Sequence, residues 1–240
     1  MAVPRFSIVV PAHNEERYLG ACLTSIRAAA AKLDAAIEII VVLNRCTDST
    51  EVIAASFGAR TVREDAKILA RIRNAGARAA SGEILVTVDA DSTMTPGTLA
   101  AINRALGSGD TVGGGTDILP DRMSWGIRAT VLFFRVWAWA KGISGGLFWC
   151  LRADFEAVGG FNESLVSAED VDFACRLKAY GRKVGRPFTK LRGGHIVTSC
   201  RKFDEFGDWC VFLHPLWMRR LIRGTSRPDA DRFYYNFKRD

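Results

Sequence analysis

Apolar residues in this chain fall into short runs and helical stripes that alternate from residue 6 to about residue 118. Ser7-Ile8-Val9-Val10 is a near-continuous apolar run stopped by Pro11, which reads as a buried strand. Leu19, Cys22, Leu23 and Ile26 recur at i, i+3, i+4 and i+7, the stripe of an amphipathic helix. A second buried strand is expected over Ile37 to Leu43, then a helix from Asp48 to Phe57 closed by Gly58 at its C′ position. Thr61-Val62 predicts a short third strand, and Lys67 to Ala80 a helix. Glu83 to Val88 forms a fourth major strand, and Thr95-Pro96 supplies an N-cap and N1 proline for a helix carrying Leu99, Ile102 and Leu106. This alternation predicts an α/β fold with a mostly parallel central sheet flanked by helices. The remainder is less regular. Gly145 to Arg152 reads as a strand, Asp154 to Val158 as a short helix ended by Gly159-Gly160, and 170–180 as a helix ended by Gly181.

Parallel sheets of this kind place ligands at the carboxyl ends of their strands. Those ends carry Pro11 to Glu15, Asn44 to Asp48, and Asp89-Ala90-Asp91. Strand alternation sends Asp89 and Asp91 to one side, where two carboxylates make a hard anionic site suited to Mg²⁺ or Mn²⁺ carrying a diphosphate. A solvated turn would explain an isolated Asp-x-Asp, but it does not anticipate three polar clusters converging on one crevice. Ala168-Glu169-Asp170 puts two carboxylates at a helix N-terminus, which capping alone also accounts for.

Composition narrows the partners. With 240 residues and 48% hydrophobic content, the chain can bury one large core or two modest ones. Its six cysteines show no Cys-x-x-Cys and read as reduced core thiols. A net charge of +7 favours a polyanionic partner, yet the basic residues are spread and no nucleic-acid module accompanies them. An anionic nucleotide or a membrane surface fits better than nucleic acid. No apolar leader precedes the first strand and no uncharged run reaches the roughly 18 to 20 residues of a span, so a cytoplasmic protein is expected. Residues 128–150 and 209–223 are aromatic, apolar and basic. They suit a helix lying in a headgroup layer at the inner face of a membrane, a lipid-linked acceptor, the core, or a homodimer interface.

The ordered set Val9-Val10-Pro11-Ala12-His13-Asn14-Glu15, Val41 to Thr50, Arg73-Asn74-Ala75-Gly76, Asp89-Ala90-Asp91, Gly159-Gly160-Phe161-Asn162-Glu163 and Glu169-Asp170-Val171-Asp172 resembles the family 2 glycosyltransferases of GT-A fold, over about residues 6–186. The resemblance implies Mg²⁺- or Mn²⁺-dependent transfer from a nucleoside diphosphate sugar, usually with inversion. By it, Pro11, Ala12, Asn14, Glu15, Asn44, Arg73, Asp89, Ala90 and Asp91 face the donor. Asp91 binds the metal directly, and Asp89 binds it through water or holds the ribose. Asp170 of the Glu169-Asp170 motif is the general base, and Gly146, Trp149 and Glu169 lie towards the acceptor. His195, expected in a C-terminal loop, is a candidate further metal ligand, and Ser199 and Arg201 are candidates to meet phosphate. Arg73 is either a forked phosphate donor or an exposed helix arginine.

Where family members commonly show Asp-Asp-Gly-Ser after the second strand, this chain reads Leu43-Asn44-Arg45-Cys46, which leaves the bound base open. The Gln-x-x-Arg-Trp signature of processive members is absent, favouring single additions. Three parts are expected: a donor half over 1–118, an acceptor and base half over 119–195, and an amphipathic helical extension over 196–240 that faces acceptor or membrane. The rival readings are a sugar-phosphate nucleotidylyltransferase, disfavoured because no glycine lies in Pro11 to Glu15, and a non-catalytic nucleotide-sugar or membrane-binding module. A dinucleotide oxidoreductase is unlike this chain, since no Gly-x-Gly-x-x-Gly joins a strand to a helix.

Overall fold

The computed structural model describes residues 3–235. In chain order the elements are β1 (Phe6–Ala12), α1 (Leu19–Ala30), β2 (Ile37–Leu43), α2 (Thr50–Ser56), β3 (Arg60–Arg63), α3 (Leu69–Ala79), β4 (Ile84–Thr87), β5 (Ser92–Met94), α4 (Thr98–Gly107) and β6 (Gly113–Pro120). There follow α5 (Trp125–Lys141), β7 (Gly145–Leu151), α6 (Arg152–Ala157), α7 (Glu169–Lys183), β8 (Phe188–Thr198), α8 (Arg201–Phe206), α9 (Cys210–Leu213), α10 (Pro215–Arg223) and α11 (Arg227–Tyr234).

Eight strands form one sheet in the order β3-β2-β1-β4-β7-β6-β8-β5. β1 to β4 are mutually parallel where they pair, β7 runs against both β4 and β6, β6 and β8 are parallel, and β5 runs against β8. Only four residues, Val88 to Asp91, join β4 to β5, although three strands lie between them in the sheet. That linker reaches about 18 Å and four strand steps span about 19 Å, so the sheet curls and its far edge returns over the carboxyl end of β4.

Alternation along β1 divides the core. Phe6, Ile8, Val10 and Ala12 pack on one face with α1 and α4, whereas Val9 packs on the other with α3, α6 and α7. Helix α3 lies flat on the sheet because Gly76 has no side chain: a Cβ there would stand 2.3 Å from Val9 Cγ1 and 2.8 Å from Val42 Cγ2.

Several boundaries differ from the sequence expectation. β1 passes through Pro11 to Ala12, since the β1–β4 ladder has ended before that residue and the missing N–H breaks nothing there. The Thr95-Pro96 segment is a turn, with Thr98 N–H donating to Thr95 O, and the helix starts after Gly97. Gly181 does not end its helix; its bare Cα admits Arg186 O and Val112 against α7, which runs on to Lys183. Three strands were not expected: the short β5, β6 over the Gly113-Gly114-Gly115 run, and β8. Close packing explains the glycines, because a Cβ on Gly114 would fall 1.7 Å from Thr189 O. Among the described residues no helix is long and apolar enough to cross a membrane.

Candidate active site

A crevice opens at the carboxyl ends of β1, β2 and β4, and because β8 runs parallel to β6, its end delivers Ser199 to Arg201 to the same edge. Pro11, Ala12, Glu15, Asp89, Ala90 and Asp91 line it. The turns around it are built from unusual backbone. Asn14, Arg45 and Ala168, with φ of 51°, 51° and 55°, are the non-glycine residues in the left-handed region among those described. That conformation costs an ordinary residue about 1–2 kcal/mol and clusters at functional sites. Asn14 follows β1, Arg45 follows β2, and Ala168 immediately precedes Glu169-Asp170.

Asp89 and Asp91 lie beyond β4, not on it. A turn in which Ser92 N–H donates to Asp89 O presents them, so strand alternation is not what orients them. Each carboxylate meets an arginine. Asp89 Oδ1 accepts from Arg73 Nη2 at 2.7 Å, and Arg73 Nη1 donates to Glu169 Oε1 at 2.5 Å. Arg73 is thus neither an exposed helix arginine nor, as it stands, a phosphate donor; its buried fork is spent on the interior Glu169 and the half-exposed Asp89, with the guanidinium over Phe161. The neighbouring Asn74 holds the Gly159-Gly160-Phe161 loop, donating to Phe161 O and accepting from Phe161 N–H, both at 2.9 Å.

On the opposite wall Arg201 grips Glu15 through both Nη atoms, at 2.7 and 2.8 Å, and Asp91 Oδ2 at 2.9 Å. Arg201 therefore reaches the crevice, but onto carboxylates. Glu15 faces Arg201 while its own N–H donates to Thr50 Oγ1. Asn14 is a tie between two turns, its Oδ1 accepting from Thr47 N–H at 2.8 Å. Asn44, expected near the base, is fully buried and turns its amide to Glu64 O and Ala66 O. His13 Nδ1 donates to Asn44 O at 2.6 Å, which fixes its tautomer.

The acceptor-side expectations need correction. Trp149 is wholly buried in the core beside Val86, because β7 pairs centrally between β4 and β6 and its alternation points that ring inward. Glu169 is likewise buried, against Arg73, and is not presented at the surface towards an acceptor. Gly146, with φ of 86°, sits just outside the β4–β7 ladder and packs towards Ile118 and Ile196. His195 is not in a loop; it lies on β8 opposite Asp117 and lines a separate open groove, of about 1080 Å³, with Arg104, Lys190 and Arg192. The extended pairing of residues 188–198 carries it away from Asp89 and Asp91.

Asp170 occupies the first turn of α7, half-buried, its Oδ1 accepting from Val171 N–H at 2.8 Å. Burial, with the nearby charges of Asp170 and Asp89, pushes Glu169 up to about 7 despite the opposing pull of Arg73. Burial raises the Cys22 thiol further above its usual range, as do the charges of Asp91, Asp89 and Glu15 around it. Tyr234 and Tyr235 of the C-terminal segment enter the crevice, a contribution the sequence reading missed. Tyr235 stacks edgewise on His13 at 5.6 Å beneath Arg45, and burial pushes its hydroxyl up to about 12. The one available signal was the Phe233-Tyr234-Tyr235 run ending an otherwise charged helix.

Among the described residues no three His, Cys, Asp or Glu side chains cluster as a metal cage. Asp89 and Asp91 nevertheless fit a site of the Mg²⁺ type, in which one or two carboxylates act together with substrate phosphates and water.

The model of the family described as glycosyl transferase family 2 matches residues 7–149. An uncharacterized glycosyltransferase of Mycobacterium tuberculosis is 35% identical over 109 residues, covering 45% of this chain and 47% of that protein, so the match spans about half the length of the curated relative. Staphylococcus aureus TarS 1-349 in complex with UDP-GlcNAc superposes with a TM-score of 0.63 at 18% identity, over 81% of this chain and 58% of that one. The mannosyltransferase PcManGT from Pyrobaculum calidifontis, in complex with GDP-Man and Mn²⁺, gives 0.62 at 19% identity, over 95% and 67%. These structures share the curled, mostly parallel sheet and its flanking helices. With more than half its length matched by the family model, the chain belongs to glycosyl transferase family 2.

Proposed function

We propose that this protein transfers a single sugar from a UDP- or GDP-linked donor to an acceptor hydroxyl, with inversion, on a saccharide or lipid-linked cell-envelope precursor at the inner face of a membrane. One observation carries the reading: Arg73 joins Asp89, on the donor side, to the Glu169-Asp170 pair through a single buried guanidinium. A solvated turn or a helix cap requires no such link across 96 residues of sequence.

Asp91 and Asp89 would hold Mg²⁺ or Mn²⁺, which when bound neutralises the leaving diphosphate. Pro11, Ala12 and Ala90 flank the nucleotide, and Arg201, released from Asp91 and Glu15, is placed to receive phosphate oxygens. Asp170 takes the proton of the acceptor hydroxyl, and Glu169 acts through Arg73 by fixing the wall beside it. The nucleoside diphosphate sugars held by TarS and PcManGT support the donor class. A nucleotidylyltransferase would want a glycine-rich phosphate loop after β1, and the Pro11 to Glu15 turn has none.

Calorimetry with UDP and GDP, with and without Mn²⁺, tests the donor site. Tight binding that requires the metal and is lost in Asp91→Ala is the expected result. Affinity unchanged by that substitution removes Asp91 from the site, and binding without transfer to any glycan or lipid-linked acceptor favours the non-catalytic module.

A further inference from the structure

Apart from Thr130 and the three cations Arg128, Arg135 and Lys141, helix α5 is apolar, a composition that in a globular protein belongs largely against a core. It is not buried: beyond Thr130 none of its residues is fully covered. Trp125, Leu132, Val136 and Trp139 recur along one outward stripe, with Trp125 77% and Trp139 80% exposed. The stripe continues onto the next segment, where Phe133 meets Phe212 of α9 edgewise at 6.0 Å, and Leu213 and Leu216 are each 71% exposed. Arg128, Arg135, Lys141, Arg219, Arg220 and Arg223 border this surface, while residues 125–141 and 209–223 contain no aspartate or glutamate.

We propose that this face seats the protein on an anionic phospholipid bilayer. The charge decides among occupants: a second copy docked through the same face would set Arg128, Arg135, Lys141, Arg219 and Arg223 against one another with no carboxylate in either segment to answer them, whereas lipid phosphates complement these cations, Arg220 being paired with Asp229. Aromatic and aliphatic side chains enter the acyl boundary, and the long basic side chains reach back to the headgroups. The proposal rests on the reading of the crevice as a transferase site, because the two are joined. Ser167 Oγ donates to Leu221 O at 2.7 Å and Val166 N–H to Gly224 O at 2.9 Å, which pins the end of α10 to the loop that leads into Glu169-Asp170. An acceptor carried in the membrane is thereby presented beside the base.

Vesicle co-sedimentation of the full chain tests this, using phosphatidylcholine alone and phosphatidylcholine with a third phosphatidylglycerol. Wild type is expected to sediment with the anionic vesicles, and the Leu132→Ser, Trp139→Ser double variant about tenfold more weakly. An independent pair, Arg135→Glu with Arg219→Glu, is expected to lose the preference for phosphatidylglycerol. UDP and Mn²⁺ calorimetry on the same preparations serves as the control for folding and for the donor site. Equal sedimentation with both vesicle types, or none with either, overturns the proposal, as does a wild-type dimer in ultracentrifugation that the apolar variant abolishes. Vesicle binding without nucleotide binding would instead retire the transferase reading alone.

Discussion

Asp170 and Glu169 are adjacent in sequence and opposite in circumstance. Asp170 is half-buried, whereas Glu169 is buried against Arg73. Asp170→Asn should lower kcat by about 10²–10⁴-fold while nucleotide affinity by calorimetry stays nearly constant, since a base acts on the barrier more than on the bound ground state. Equal losses in both would contradict that role. Glu169 has a folded pKa of about 7 against an ordinary 4.5. In that window the folded chain holds a proton the unfolded chain has released, so this group's contribution to stability is full below about 4.5 and fades as pH rises towards 7. Denaturant titrations across that range should show stability falling with pH in wild type, and a shallower fall in Glu169→Gln. An identical slope in the variant would mean that another group titrates there.

Among the elements, α3 sets the position of Arg73, and Gly76 sets the position of α3. Gly76→Ala should destabilise the fold by about 1–3 kcal/mol through overpacking against Val9 and Val42. The same substitution should weaken metal-dependent nucleotide binding, because Arg73 lies one turn away on the helix. Full stability measured by urea denaturation would show that the helix can lift without loss. Stripes and runs made α1, β2, α3 and β7 legible, because one-sided burial leaves a periodic record in sequence. They did not reveal β6 or β8: Gly113 to Gly115 carries no side chains to show a period, and Lys190, Arg192, Gly193 and Gly194 interrupt the pattern of β8. The Asp-x-Asp turn was legible as chemistry, but its arginine partners were not, since Arg73 and Arg201 lie 16 and 110 residues from Asp89 and Asp91 in the chain.

For the molecule as a whole, the cavity among Pro11, Asp91 and Tyr235 holds about 90 Å³. Ligand sites usually hold about 300–1,000 Å³, so on the proposed function a donor would need the C-terminal segment to give way. Tyr235→Ala should therefore tighten UDP binding several-fold, chiefly through a faster association rate in stopped-flow measurements. Weaker binding would instead make Tyr235 a ring that stacks on the base. The covering segment is anchored in turn: the buried Trp217 of α10 packs against Phe206 and Phe233, and Phe233 precedes the two tyrosines.

Local composition alone determined the α/β alternation, the crevice at the strand ends, the family, and the acidic pairs at 89–91 and 169–170, because each depends on neighbours within a few residues. Only the tertiary structure decided that Arg73 pairs with Asp89 and Glu169 and Arg201 with Asp91, that Trp149 and Glu169 are interior, that His195 faces another groove, and that α5 is left uncovered. These outcomes turn on which distant segments meet once the sheet curls, and on how much surface remains to bury the last apolar helix; no local period records either.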